Sequence, residues 1–314
     1  MVKDPATGEN ASRLTAADLL ARTSFATTVE FRSIDLVSQT DTGLHSPDLL
    51  TLARCLQNEV CHDVDGIVVT HGTDTMEEAA FFIDETIQAA VPIVFTGAMR
   101  PSWAAGYDGI KNLENALHLA AAVPAEYGTL VTMNDTIFEA WSAYKADTGA
   151  LDAFTARREA PYGRMYGDRL VLAWRPLARQ RGGRIPATLP TDVPILSLGI
   201  ADEAVLLEQI SGQPLRGIVI AGIAAGTVPP LARQRLLRLT RDGVTVVLCT
   251  GAVSGPTAEE YYYPGAYEDL LAAGVLIEDH LTPRKARIRL MISLGLQIPY
   301  APFGKEFVLS SLLR

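Results

Sequence analysis

Apolar residues along this chain come in short runs separated by longer amphipathic stretches, the spacing of strands alternating with helices. Val64-Asp65-Gly66-Ile67-Val68-Val69-Thr70 is rich in β-branched residues, and the stretch from Thr75 to Ala90 repeats its apolar positions at helical intervals. Val91-Pro92-Ile93-Val94-Phe95-Thr96 then returns to strand-like composition. A strand, a helix and a strand in that order predict a parallel pair joined by a crossover helix. The rhythm continues with a helix around Asn112 to Ala122, a strand at Gly128-Thr129-Leu130-Val131-Thr132-Met133 and a turn at Asn134-Asp135. The fold class is therefore α/β, with a doubly wound, mostly parallel sheet in the first half.

Apolar periodicity lapses in an Arg-, Gly- and Pro-rich stretch from Arg175 to Asp192, centred on Arg181-Gly182-Gly183-Arg184. We place a linker there, at residues 179–192, after an N-terminal domain of residues 1–178. The rhythm resumes with Ile195-Leu196-Ser197-Leu198, Gly217-Ile218-Val219-Ile220 and Val244-Thr245-Val246-Val247-Leu248. These runs predict a second, smaller α/β domain over residues 193–314. Its last helix is expected to start near Pro283, a residue tolerated in a first helical turn, and to present Ile288, Met291 and Ile292 as its apolar face. No internal repeat or low-complexity segment interrupts the pattern.

Composition narrows the function. With 314 residues, 48% hydrophobic and 20% charged, the chain is long enough for two cores and has the balance of a folded globular protein. Its net charge of −9 argues against a nucleic-acid-binding face, which needs a basic stripe. Cys55, Cys61 and Cys249 are an odd count without metal-ligand spacing and read as packed, reduced thiols, so neither a disulfide framework nor a zinc site is expected. No apolar run approaches the ~20 residues that a membrane-spanning helix requires. The opening Met1-Val2-Lys3-Asp4-Pro5 is polar and unlike a secretory signal, so the expected location is the cytoplasm.

Open parallel sheets bind ligands at the carboxyl ends of their strands. The first strand ends in Thr70-His71-Gly72-Thr73-Asp74-Thr75 and enters a helix at Met76-Glu77-Glu78. Hydroxyls and a carboxylate thus gather at a helix N-terminus, where backbone N–H groups favour an anion or a developing oxyanion. A helix cap needs one such residue, and this segment supplies several. His71, inside the turn, is read as making a structural hydrogen bond. The next strand end, Thr96-Gly97-Ala98-Met99-Arg100-Pro101-Ser102, and the turn at Tyr107-Asp108-Gly109 lie on the same edge. Gly97 and Ala98 are expected to leave room for a ligand to approach the backbone. Lys145, beyond a third edge loop, reads either as a solvated surface charge or as a base folded back beside Thr73 to accept its hydroxyl proton.

Thr70-His71-Gly72-Thr73-Asp74-Thr75-Met76-Glu77-Glu78, then Gly97-Ala98-Met99-Arg100-Pro101, then Asp108-Gly109 with Asn112-Leu113, resemble the bacterial L-asparaginase family. The resemblance continues through Met133-Asn134-Asp135, Lys145, Phe154, Tyr162-Gly163, Ala221-Gly222 and Pro283-Arg284-Lys285-Ala286-Arg287. It implies hydrolysis of L-asparagine to L-aspartate and ammonia, with L-glutamine as an alternative substrate, through an acyl-enzyme on threonine and without metal or cofactor. Carried over, Thr73, Asp74 and Lys145 form a Thr-Lys-Asp triad in which Lys145 relays the proton and Asp74 also holds the substrate's α-ammonium. Ser38 and Gln39 match the pair that binds the amino acid's α-groups, and Ala98 offers its backbone to the leaving amide. The family also implies a homo-oligomer, dimer or tetramer, in which Thr227 supplies a polar contact to a neighbouring subunit's site.

Three departures accompany the match. The family opens with a strand ending in a Thr-Gly-Gly-Thr-Ile type turn that carries another catalytic threonine, and the comparison sets Met1 just beyond that turn. Asp4 to Asn10 then resembles the lid that follows it, without the lid tyrosine, and Thr7 is a poor substitute nucleophile because a loop lacks preorganisation. An acidic residue expected near Glu259 to Glu268 has no firm counterpart, and Gly106-Tyr107 stands where smaller polar residues are usual. The leading expectation is an asparaginase missing that first segment. Its alternatives are a non-catalytic amino-acid-binding protein of the same fold and an amidase subunit of a tRNA-dependent amidotransferase.

Overall fold

The computed structural model describes residues 2–3, 10–11, 14–25, 27–36, 44–59, 64–157, 160–173, 183–200, 203–210, 212–257 and 262–303. The chain divides into two compact units, Met1–Ile185 and Pro186–Arg314.

The first unit opens with a small antiparallel ladder, β1 (Val2–Lys3) with β2 (Asn10–Ala11), and two helices, α1 (Ala16–Leu20) and α2 (Ser46–Glu59). Its main sheet begins with three parallel strands, β3 (Ile67–Thr70), β4 (Ile93–Thr96) and β5 (Thr129–Met133). The crossovers carry α3 (Met76–Thr86) and α4 (Gly109–Ala122). After β5 the chain reverses through Asn134 and Asp135, both left-handed at φ 48° and 59°, the geometry a tight hairpin requires and one that Asn and Asp tolerate. From that turn β6 (Thr136–Glu139) runs back antiparallel to β5. β7 (Ala143–Lys145) and β8 (Phe154–Ala156) form a separate ladder, and β9 (Gly163–Tyr166) and β10 (Arg169–Leu172) complete the large sheet in the order β10-β9-β6-β5-β4-β3. The α/β class holds, and an antiparallel meander extends its parallel half.

Two helix boundaries differ from the periodicity. α3 stops at Thr86, because Ile87 turns extended (φ −118°, ψ 128°) and buries its side chain while the chain returns to start β4. α4 begins earlier than expected, at Gly109, following Asp108. Nine of the 11 residues of α3 are buried, among them Phe81, Phe82 and Ile83, which no longer touch solvent. A helix buried on all sides needs neighbours all round, and α3 has them in α2, β4, β5 and β7. On α4, Ala116, Leu119 and Ala120 pack with Val94, Leu130 and Ile137 of the sheet.

The second unit is a four-stranded parallel sheet in sequence order: β11 (Ile195–Ser197), β12 (Gly217–Gly222), β13 (Thr245–Thr250) and β14 (Leu276–Glu278). A sheet wound in one direction puts its crossovers on one face. Leu207 of α5 (Glu203–Ile210), Leu236 and Leu239 of α6 (Pro230–Arg241) and Leu270 of α7 (Tyr267–Ala272) accordingly share one core with Ile218, Ile220, Val246 and Leu248. The last helix, α8 (Pro283–Leu296), packs on β11, β12 and β13. It starts where Pro283 predicted, and Ile288, Met291 and Ile292 are buried as expected.

The start of α8 is set by Thr282, whose hydroxyl accepts the N–H of Lys285 at 3.2 Å while being buried itself. Replacing Thr282 by Ala removes that cap, and chemical denaturation of the variant is expected to show a loss of about 1 kcal/mol; Thr282→Asp, which restores an acceptor, should recover most of it.

Candidate active site

The parallel register aligns the carboxyl ends of β3 and β4: Thr70 pairs with Thr96, and the N–H of His71 donates to Thr96 O at 2.9 Å. Leaving β3, the chain passes through His71, Gly72, Thr73, Asp74 and Thr75 before α3 begins. Thr75 holds the N-cap position but makes no side-chain cap hydrogen bond, so capping does not account for the hydroxyls gathered here. His71 Nδ1 lies 2.7 Å from Gly72 O, the structural bond anticipated for it.

Lys145, the last residue of β7, does fold back to this turn. Its Nζ donates to Thr73 Oγ1 at 2.9 Å and to Asp74 Oδ1 at 2.6 Å. The lysine side chain is 11% exposed and that of Asp74 60% exposed, so the cation is enclosed along its stem while its carboxylate partner faces solvent. An amine and a hydroxyl at 2.9 Å are within reach of direct proton transfer. The other end of the lysine is also held: its backbone N–H donates to Glu77 Oε2 at 2.7 Å, and Glu77 is completely buried.

Ala98 sits on the neighbouring exit, after β4. Gly97, before it, is small for a different reason from the one expected. A Cβ there would lie 2.3 Å from His71 O and 2.7 Å from Met76 Cε, so the glycine lets two strand exits pack together rather than leaving space for a ligand. The loop that carries Ala98 is clasped by Asp108 and Asn112. Asp108 accepts the N–H groups of Met99 and Arg100, both at 3.0 Å, and the Nδ2 of Asn112 at 2.9 Å. Asn112 Nδ2 also donates to Gly97 O at 3.0 Å, and its Oδ1 accepts the N–H of Asn134 at 3.0 Å, which ties the exits of β4 and β5 together. Beside them, burial and then the charge of Asp108 push the Tyr107 hydroxyl above its ordinary pKa, keeping it a neutral phenol.

Thr227 belongs to the second unit, in a tight loop after β12. Its N–H and Oγ1 both donate to Ile223 O, at 2.9 and 3.1 Å, and the N–H of Ile223 donates back to Thr227 O. Ala224 in this loop is left-handed at φ 47°, held by a hydrogen bond from Thr250 Oγ1 to its carbonyl. Glu268 falls in the first turn of α7, whereas Ser38, Gln39, Thr7 and Glu259 lie outside the described residues. Cys55 and Cys249 are free thiols, and Cys61 is outside the described residues. Among the described residues, no three His, Cys, Asp or Glu side chains gather as a metal site, and no helix is long and apolar enough to cross a membrane.

Glu77 escaped the sequence reading because its partner is 68 positions away. One signal was available: Glu77 shares a helix face with the apolar Ala80 and Phe81, at i+3 and i+4, which sets a carboxylate on an apolar face.

The strand exits of the first unit thus assemble a Thr-Lys-Asp cluster, and comparison with known proteins finds a family match in each half of the chain. Residues 1–178 match the family described as Asparaginase, N-terminal, and residues 192–301 match the Glutaminase/Asparaginase C-terminal domain. The chain is 33% identical over 272 residues to L-asparaginase 2 of Bacillus subtilis, covering 82% of this chain and 68% of that protein. It is 32% identical over 251 residues to L-asparaginase 2 of Escherichia coli (78% and 70%) and 35% identical over 239 residues to a probable L-asparaginase of Deinococcus radiodurans (74% and 71%). The chain belongs to the asparaginase family.

Because Asn112 is buried and bonds to three separate segments, its replacement by Ala leaves Gly97 O, Asp108 and the Asn134 N–H each one partner short. Urea unfolding of Asn112→Ala should show a loss of about 1–3 kcal/mol.

Proposed function

We propose that the protein hydrolyses the side-chain amide of L-asparagine, with L-glutamine as an alternative substrate, through an acyl-enzyme on threonine. The observation that carries this reading is Lys145 Nζ bridging Thr73 Oγ1 and Asp74 Oδ1 at the exit of a parallel strand. In its neutral form the Lys145 amine takes the Thr73 hydroxyl proton, and the alkoxide adds to the amide carbon. Lys145 returns the proton to the departing nitrogen, which leaves as ammonia, and an aspartyl ester remains on Thr73. Water then attacks that ester, giving up a proton to the same amine, and aspartate is released with the Thr73 hydroxyl restored. Backbone N–H groups at the start of α3 offer stabilisation to the oxyanion of each addition. Asp74, whose side chain is 60% exposed beside Lys145, faces the solvent from which the substrate's α-ammonium would approach it, and Ala98 offers its backbone to the leaving amide.

Ser38 and Gln39 complete the proposal as holders of the α-groups. We also assign the active form to a homo-oligomer, dimer or tetramer, with Thr227 contributing to a neighbouring subunit's site.

The test is ammonia release from asparagine and glutamine by the purified chain and by Lys145→Met. The proposal expects turnover in the parent and a loss of about 10²–10⁴-fold in the variant, the usual contribution of a general base. Saturable asparagine binding by calorimetry without ammonia release would instead favour the amino-acid-binding alternative.

A further inference from the structure

Resting on the catalytic reading of Lys145, we infer that Glu77 is a positioning residue that sets where this lysine starts. A lysine side chain has several rotatable bonds, so an ordered Nζ depends on a fixed backbone as much as on its own partners. Lys145 closes a short strand, and its N–H is satisfied by the Glu77 carboxylate at 2.7 Å rather than by the β7–β8 ladder. Glu77 lies in the first turn of α3, four residues after Thr73 and three after Asp74. The same helix start therefore grips the lysine at both ends: Glu77 holds the backbone nitrogen, and Thr73 and Asp74 hold Nζ.

Helix stability alone does not require this arrangement. Glu78, next in sequence, lies in the same turn and is only half-buried, so it can serve the helix N-terminus at little desolvation cost. Burying Glu77 completely is expensive unless its oxygens are used, and the grip on Lys145 is one use that the geometry shows.

The experiment compares Glu77→Ala, Glu77→Gln and Glu77→Asp by steady-state ammonia release and by crystal structures. Gln keeps a side-chain oxygen at the same reach, Ala removes it, and Asp keeps the charge but withdraws the oxygen by one methylene. The expected result is a fall in kcat of about tenfold or more for Ala and Asp with KM within about twofold, while Gln stays within about threefold of the parent. In the crystals, Nζ should leave hydrogen-bond range of Thr73 Oγ1 in the Ala and Asp variants and keep the 2.9 Å contact in Gln. A lysine that stays in place in the Asp variant, or a Gln variant as impaired as Asp, overturns the inference, and neither depends on the Ala variant folding. A parent chain without hydrolytic activity refutes the catalytic reading alone, since the crystal comparison still decides what positions Lys145.

Discussion

The level register of the first parallel strands is the constraint on which the candidate site depends. With Thr70 opposite Thr96, and the His71 N–H bonded to the Thr96 carbonyl, β3 and β4 end at the same height, and their exits leave from a common edge. A parallel ladder permits this arrangement because each strand is followed by a crossover that starts again from the opposite edge. Polar residues in successive exits then become neighbours in space although they are tens of positions apart in the chain. Gly97 shows how close the approach is, since even a methyl group there would collide with the carbonyl of His71.

Strand exits are loops, and a loop holds a reactive geometry only when other groups fix it. Here the fixing groups are polar, with Asn112 and Glu77 buried and Asp108 half-buried. Asn112 and Asp108 bind the exits of β4 and β5, Glu77 binds the backbone of Lys145, and none of these bonds is made within a strand ladder. Each buried polar group costs desolvation that is offset only when its hydrogen bonds are complete. The site is thus rigid where it is dry and open where Asp74 meets solvent, an arrangement suited to holding a lysine in place while a small molecule enters.

The second unit uses a buried carboxylate in a comparable way. Glu278, at the end of β14, is fully buried and accepts from the Tyr300 hydroxyl at 2.6 Å and from the N–H groups of Phe303 and His280 at 2.9 and 3.1 Å. Burial pushes its carboxyl above the ordinary range, against the opposing pull of these donors. The effect is to fasten the segment after α8 to the end of the last strand, where no sheet hydrogen bond reaches it.

The local pattern by itself determined the alternation of strands and helices, because side-chain periodicity reflects which face of each element must leave water. It also determined the turn at Asn134-Asp135, whose left-handed geometry follows from residue type, and the start of α8 near Pro283, which follows from the tolerance of proline in a first helical turn. The motif from Thr70 to Glu78 and its companions were sufficient to point to the asparaginase family. Tertiary structure decided the rest. The end of α3 at Thr86 depends on where β4 must begin, the antiparallel half of the sheet depends on pairings between distant strands, and the small size of Gly97 answers to the carbonyl of His71. Whether Lys145 was a solvated charge or a partner of Thr73 was likewise undecided by its neighbours in sequence. The answer lay in bonds spanning 68 to 72 positions, and such bonds exist only after the strands and α3 have packed.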